Sequence, residues 1–452
     1  MSDVNIRKIA AQSLMDMEKE GLFLSTIESA VLDKYNYLDN KDKAFYKRLM
    51  DGTTEERIRI DYILGLFSST KVSKLKPYIR AVLRMSIYQI IWLDAVPDSA
   101  ACDEAVKLVK KSGQSALAGF VNGVLRNIIR NKSDIKYPDQ KKNPIQYASI
   151  YYSCPEWIVK RIAEEYGLDV MEEVLKASVT ETAVSVRLRV EGKALDKLCE
   201  KWNRCGVEVE DNPLLDFGRF LKGTGAIANL PGFNDGSFIV QDTGSMLVAD
   251  MAGIKAGDLV MDVCAAPGGK SMHAADILCK LESEYKADNK AFAPGIVYSY
   301  DISEEKCERI RENINRLKLN NVKVKAADAT VYNPEMENKA DVVIVDAPCS
   351  GIGVIGHKSD IKYRLLEEDI DELARIQKKI IDVAVKYVKP GGRLVFSTCT
   401  ISRCENDEQV KYIMEQYPFT LVKDTNERPN PYQLLPGRDR SDGFFIAVFE
   451  RQ

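Results

Sequence analysis

The chain has 452 residues, is 45% hydrophobic and 29% charged, and carries a formal net charge of −3. Such a length suggests about three domains, and such a composition a globular protein with a sizeable buried core rather than a disordered or fibrous one. No apolar run reaches the length of a membrane-spanning helix, and the near-neutral balance does not advertise a strongly basic nucleic-acid binder.

Residues 1–130 read as helices throughout. Ile79, Val82, Leu83, Ile87, Ile90 and Ile91 fall at helical spacing, as do Val121, Val124, Leu125, Ile128 and Ile129. Pro97 breaks the pattern. The expectation is a helical bundle without a catalytic cluster, suited to docking or binding. Residues 1–135 hold 21 Lys+Arg against 17 Asp+Glu, which is weakly basic and equally consistent with a solvated surface. The start, Met1-Ser-Asp-Val-Asn-Ile-Arg-Lys8, lacks the apolar core of a signal peptide, which points to the cytoplasm.

Residues 131–149 are polar, include Pro138 and Pro144, and read as a linker. Pro155 opens a helical stretch through Tyr166, continued from Val170 to Ala177. Val184-Ser-Val-Arg-Leu-Arg-Val190 alternates apolar and polar, as a half-buried strand does. A helix around Leu195–Trp202 and a strand at Val207-Glu-Val-Glu complete a small α+β region. Arg187 and Arg189 share a strand face and could meet phosphates, although a solvated face is the commoner explanation.

From about residue 239 strands and helices alternate. Strands are expected at Leu259–Val263, Gly295–Asp301, Val322–Ala327, Ala340–Asp346 and Arg393–Thr398. Alternation of this kind implies a parallel sheet with helices on both faces. The terminal Gly443-Phe-Phe-Ile-Ala-Val-Phe-Glu is expected to pair antiparallel at the sheet edge.

The chain is organised around Asp262-Val-Cys-Ala-Ala-Pro-Gly-Gly-Lys270-Ser271. A strand, a small-residue turn and a helix start make a nucleotide site in such a sheet. A phosphate loop is a rival reading of Gly269-Lys270-Ser271, with Val342–Asp346 as its magnesium strand. That loop needs glycine where Cys264 stands. Gly351-Ile-Gly353-Val-Ile-Gly356 formally matches a dinucleotide fingerprint. No strand ending in an acid follows at the required distance, so it reads as a glycine-rich loop beside an active site. Asp301 and Asp328 end the next two strands. The first can accept both ribose hydroxyls and the second an adenine amino group, so an adenosine-type ligand is expected over two helix-capping acids.

Asp346-Ala-Pro-Cys349-Ser350-Gly351 follows the fourth strand and Ser397-Thr398-Cys399-Thr400 the fifth. Adjacent strand ends share the ligand edge, so both cysteines can face one pocket. A lone cysteine is more often a small buried hydrophobe. A metal reading of Cys399 and Cys404 is unattractive, because the chain has only His273 and His357 and its ten cysteines show no CxxC pair. The setting suits a nucleophile, with Lys270 as a nearby cation able to raise the thiolate fraction.

These motifs, together with Glu405-Asn406, resemble the RNA cytosine-5 methyltransferases, which use S-adenosylmethionine. Leu75-Lys-Pro, Tyr88-Gln, Val96-Pro and Phe120-Val-Asn-Gly-Val-Leu-Arg-Asn127 resemble the NusB family. The combination resembles the bacterial 16S rRNA cytosine-5 methyltransferases of the RsmB (Fmu/Sun) family over nearly the whole chain. The resemblance implies a multidomain fold: an all-α NusB-like RNA-binding bundle at 1–135, a small α+β RNA-binding or linker domain at 145–235, and an α/β Rossmann-like class I methyltransferase domain at 236–452. It further implies that Cys264, Ala265, Ala266, Pro267, Gly268, Gly269 and Lys270 cradle the cofactor's methionine part. Asp301 would bind its ribose, Asp328 its adenine, and Asp346 would lie between cofactor and target base. Cys399 would be the nucleophile that adds to C6 of cytosine, Cys349 would assist product release, and Asp346 and Lys270 would serve the chemistry beside them. DNA enzymes use the Pro-Cys cysteine instead. His357-Lys-Ser-Asp360 departs from the family's His-Pro-Asp.

The implied reaction is methylation of cytosine 967 of 16S rRNA, without a metal, by a cytoplasmic and monomeric enzyme acting on free or early-assembling small-subunit RNA, with no membrane partner. The alternatives are another rRNA or tRNA cytosine, a non-catalytic RNA-binding assembly protein, or a methyltransferase for DNA or protein.

Overall fold

The computed structural model describes residues 4–180, 183–287, 293–423 and 425–452. The chain divides into two compact units, one of residues 1–179 with 357–364, the other of residues 180–356 with 365–452. The division at Thr180 falls inside the stretch 145–235 that sequence reading groups together.

The first unit is helical, as its 3.6-residue periodicity requires. Helix Pro77–Trp92 runs through its centre, buried from Tyr78 to Ile90 apart from Arg80. Pro77 starts it, where a missing N–H costs nothing. Ile60, Ile63 and Leu64 of helix Arg57–Phe67 and Val121, Leu125 and Ile128 of helix Ala118–Asn131 complete the core. Arg84 is held at 2.7 Å by both oxygens of Asp61, a bidentate pairing that satisfies a nearly buried cation.

Two parts of this unit differ from expectation. The polar stretch 131–149 is not a bare spacer. Pro144 opens helix Pro144–Tyr151, and Tyr137 stacks on Tyr62 at 5.8 Å between centroids. The Arg59 guanidinium lies 5.2 Å from the Tyr137 ring and 4.4 Å from that of Tyr151. Its aromatic side chains thus dock while its charged ones stay solvated. The second part is the segment 357–364, flanked on both sides by the other unit. Asp360 Oδ2 accepts the Leu24 N–H at the start of helix Leu24–Lys34, at 2.9 Å. Lys362, only 2% exposed, donates to Glu55 O at 3.2 Å, and the Tyr363 hydroxyl donates to the same carbonyl at 2.8 Å.

The second unit holds two sheets. Among the described residues the smaller is four-stranded and antiparallel: β1 (Val184–Leu188), β2 (Glu208–Asp211), β3 (Gly218–Lys222) and β4 (Phe238–Val240), in the order β2-β3-β1-β4. β3 and β4 were not anticipated, and β4 lies in a stretch read as the start of the α/β region. Arg187 and Arg189 correct the solvated-face reading. The Arg187 side chain is 3% exposed and reaches Asp276 at 2.8 Å, while Arg189 meets the same carboxylate at 2.8 Å. Asp276 lies on helix Gly269–Ala287, so β1 is clamped to the helix that follows the small-residue turn.

The larger sheet contains β5 (Leu259–Asp262), β6 (Ile296–Asp301), β7 (Val322–Ala326), β8 (Ala340–Asp346), β9 (Val388–Thr398), β10 (Phe419–Leu421), β11 (Tyr432–Leu434) and β12 (Phe444–Arg451). Its order is β10-β12-β9-β8-β5-β6-β7, with β11 also on β12. β5 through β9 are parallel, the Rossmann-like core expected. β8 is apolar from Val342 to Val345 because helices cover both faces. The terminal strand β12 is antiparallel to β9, as expected, but it is not the edge: β10 covers it. The chain leaves β5 toward β6 and β7 on one side and returns to β8 and β9 on the other. That reversal opens a crevice at the carboxyl ends of β5 and β8.

Candidate active site

The crevice collects side chains from the ends of β5, β6, β7, β8 and β9 and the turns that follow them. After β5, Ala266 N–H donates to Asp301 Oδ2 at 2.9 Å, joining the turn to the end of β6. Gly268 has φ +103°, a conformation that residues with a Cβ rarely adopt, so the turn favours glycine there. Cys264 sits in this turn, and burial first, then the neighbouring Asp262, pushes its thiol far up, which keeps it neutral. Asp262 is fully buried and accepts from Ser271 Oγ at 2.7 Å. Burial pushes its carboxyl up to about 7.

Asp301 is 5% exposed and is a triple acceptor. Besides Ala266 N–H, its Oδ1 takes Ile302 N–H at 2.8 Å and Lys306 Nζ at 3.1 Å. A carboxylate has about four acceptor positions, so a ribose hydroxyl would use the fourth or displace the half-exposed Lys306. Asp328 is exposed, and the Thr330 N–H and hydroxyl, both on its Oδ1, hold its carboxyl below the usual range. Ile302 and Val331, 63% and 64% exposed, stand close to these two acids in the chain. Acceptors for hydroxyls, a second carboxylate and exposed apolar surface are the chemical set an adenosine-type molecule needs.

Lys270, in the first turn of helix Gly269–Ala287, donates to Asp346 Oδ2 at 2.7 Å. Burial pulls its ammonium down, but Asp346, Asp262 and Cys399 outweigh it and the net shift is upward, so the cation is secure. Asp346, at the end of β8, also accepts from Ser397 Oγ of β9 at 2.9 Å, matching the strand register that pairs residues 346 and 397. The two cysteines meet one step further out. Cys349 Sγ and Cys399 Sγ are 3.1 Å apart, and Cys399 N–H donates to Cys349 Sγ at 3.3 Å. The Cys399 contact and burial push the Cys349 thiol well up. Either sulfur can be the donor in this contact, and the upward shift at Cys349 favours Cys349 as the one that carries the proton.

The glycine-rich loop packs against this pair. Gly353 N–H donates to Cys399 O at 3.2 Å, and Gly353 O accepts Gly443 N–H at 2.8 Å. Sequence reasoning located the residues from 262 to 270, Asp301, Asp346, Cys349 and Cys399, and all line one sheet edge. It did not single out Gln377, and it assigned no role to Ser397, Glu405 or Asn406, although all three were visible in the motifs around Cys399.

The family model described as 16S rRNA methyltransferase RsmB/F matches residues 251–450, and that of the NusB family matches residues 4–130. The chain is 34% identical to the probable ribosomal RNA small subunit methyltransferase B of Bacillus subtilis, over 100% of both chains. It is 28% identical to the ribosomal RNA small subunit methyltransferase B of Serratia proteamaculans, over 99% of this chain and 98% of the relative. Among solved structures, the protein PH0851 superposes with a TM-score of 0.79 at 24% identity, over 99% of both chains. A methyltransferase homologue from Pyrococcus horikoshii does so with a TM-score of 0.57 at 22% identity, over 68% of this chain and 99% of its own.

Proposed function

The chain belongs to the 16S rRNA methyltransferase family RsmB/F, and from that premise we propose that it methylates C5 of a single cytosine, position 967 of 16S rRNA. The chemistry rests on the pair of thiols 3.1 Å apart beside the Lys270–Asp346 ion pair, and the choice of position 967 rests on the NusB-family match over residues 4–130 alone. S-adenosylmethionine, when bound along residues 264–270 with its ribose at Asp301 and its adenine near Asp328, supplies an electrophilic methyl group.

C5 of cytosine is a poor nucleophile, and the chain's residues remedy that. The Cys399 thiolate forms a bond to C6, and the C5–C6 electron pair becomes available at C5. Asp346, oriented by Lys270 and Ser397, holds the base edge near N3, and the Lys270 ammonium beside it offsets the negative charge that thiolate addition pushes there. Once C5 carries the methyl group, a base must take the C5 proton before the thiolate leaves. The electrons of that C–H bond restore the C5–C6 double bond, and the S–C6 bond breaks to return the thiolate. Cys349, held protonated, assists this release. The target base must be unpaired or flipped out, which costs a few kcal/mol and is cheapest in a loop. The first unit's helical bundle and the small sheet would choose the RNA. The enzyme would act in the cytoplasm as a monomer on free or early-assembling small-subunit RNA.

The test uses the full chain with small-subunit rRNA and S-adenosylmethionine, resolved on a denaturing gel. Cys399→Ala should abolish both methylation and any protein–RNA band. Cys349→Ala should accumulate a slow protein–RNA band that the double variant lacks. A trapped band from Cys399→Ala instead would reverse the roles. Undiminished methylation by both variants would refute the mechanism.

A further inference from the structure

Glu405 and Asn406 are adjacent, both fully buried, and precede helix Asp407–Gln416. Their side chains run mainly to different loops, although Glu405 also takes a bond from Thr400 beside Cys399. Glu405 Oε1 accepts Ser350 N–H at 2.8 Å and Gln377 Nε2 at 3.1 Å, and its Oε2 accepts Ser350 Oγ at 2.5 Å. Gln377 Nε2 also donates to Pro348 O at 3.0 Å. The residues on both sides of Cys349 are thus held by Glu405, directly at Ser350 and through Gln377 at Pro348.

Asn406 does the same around the other thiol. Its Oδ1 accepts Thr398 Oγ1 at 2.6 Å, and its Nδ2 donates to Thr400 O at 3.0 Å and Gln433 Oε1 at 2.9 Å. Ser350 Oγ and Thr400 Oγ1, 2.8 Å apart, tie the two loops together. A buried carboxylate and a buried amide are costly to desolvate unless they are hydrogen-bonded, and well-packed apolar residues often stabilise as much. What such a network adds is fixed geometry.

We propose that Glu405 and Asn406 are positioning residues with divided duties, Glu405 setting the Cys349 loop and Asn406 setting the Cys399 loop. Burial raises the Glu405 carboxyl, while the bonds from Ser350, Gln377 and Thr400 oppose that shift and hold the group in place. Its charge is also among the influences that keep the Cys349 thiol protonated. The inference rests on the reading that the two cysteines act in separate steps, but not on which of them attacks.

The experiment compares Glu405→Gln, Ser350→Ala, Asn406→Ala and Thr398→Val with Cys349→Ala and Cys399→Ala, in the full chain with small-subunit rRNA and S-adenosylmethionine. Turnover, protein–RNA band yield, cofactor affinity and melting temperature are read for each. Glu405→Gln and Ser350→Ala should lower turnover about tenfold and move the band yield in the direction of Cys349→Ala. Asn406→Ala and Thr398→Val should move it in the direction of Cys399→Ala. Cofactor affinity should stay within about threefold throughout. Ser350→Ala and Thr398→Val each remove a single hydroxyl, so they decide the matter if the larger changes fail to fold. The inference is overturned if all four variants shift the band the same way, if affinity falls in parallel with turnover, or if nothing changes. If the two cysteine variants exchange phenotypes, the attack and release assignments fail, while the pairing of each positioning residue with its own cysteine is still scored.

Discussion

Gly353→Ala tests whether the loop bearing Cys399 is held by backbone packing. A Cβ at Gly353 would lie 2.1 Å from Gly443 O and 2.8 Å from Cys399 O, both backbone atoms that no rotamer change can move. Ordinary contact begins at 3.4 Å, so the first gap must open by roughly 1.3 Å. That movement breaks the hydrogen bonds from Gly353 to Cys399 O and from Gly443 to Gly353 O. Two such bonds and the overpacking together should cost about 2–4 kcal/mol of stability. The larger effect falls on rate, because displacing a nucleophile by about 1 Å can cost on the order of a hundredfold. Residues 262–270 and Asp301 lie on other strand ends, so cofactor affinity should change little. The assay pairs urea unfolding with single-turnover methyl transfer and calorimetric cofactor binding. A variant with full stability and full turnover would refute the argument that this close approach positions the thiol.

Asp276→Asn should destabilise the second unit by about 3 kcal/mol, since it leaves Arg187 buried without its carboxylate and weakens the hold on Arg189. A loss below about 1 kcal/mol in urea unfolding would show the pair to behave as a surface bridge. Burial first, then Asp51, pushes the Glu28 carboxyl up to about 8, against about 4.5 in the unfolded chain. The folded state therefore keeps a proton that the unfolded chain releases, and this stabilisation, complete below pH 4.5, is lost as pH rises through about 8. Glu28→Gln should flatten that loss, gaining on the order of 1–3 kcal/mol at pH 8 relative to pH 5 in chemical melts of the helical unit. An unchanged pH slope would count against a protonated Glu28.

The central parallel strands were legible because burial on both faces writes itself as a continuous apolar run, as from Val342 to Val345. β3 and β4 were not, because Gly218–Lys222 carries no alternation and Phe238–Val240 is only three residues long. β10 escaped notice for the same reason, and with it the true sheet edge. Arg187 looked like surface because its counter-charge, Asp276, lies far along the chain, where no local pattern reveals it. The segment 357–364 shows the same limit, since its partners are Leu24 and Glu55. The strand-end residues of the site needed no distant partner to be found. Glu405 and Asn406 did, because their roles exist only once the Cys349 and Cys399 turns are folded side by side.

Two thiols this close would be expected to compete for one proton, and their surroundings decide which keeps it. Cys349 feels Cys399, burial, Glu405 and Asp346, and every one of these raises it. Lys270, by contrast, counts Cys399 among the groups that raise its ammonium, so that cation and that sulfur favour each other's charged forms. The cation comes from the cofactor turn, the carboxylate that orients it from β8, and the carboxylate that biases Cys349 from the segment after β9. On the proposed mechanism this asymmetry gives attack to the sulfur beside the ammonium and leaves the other as the proton-bearing partner for release. The division of labour then needs no difference in the thiols themselves, only the charges each turn places beside its own.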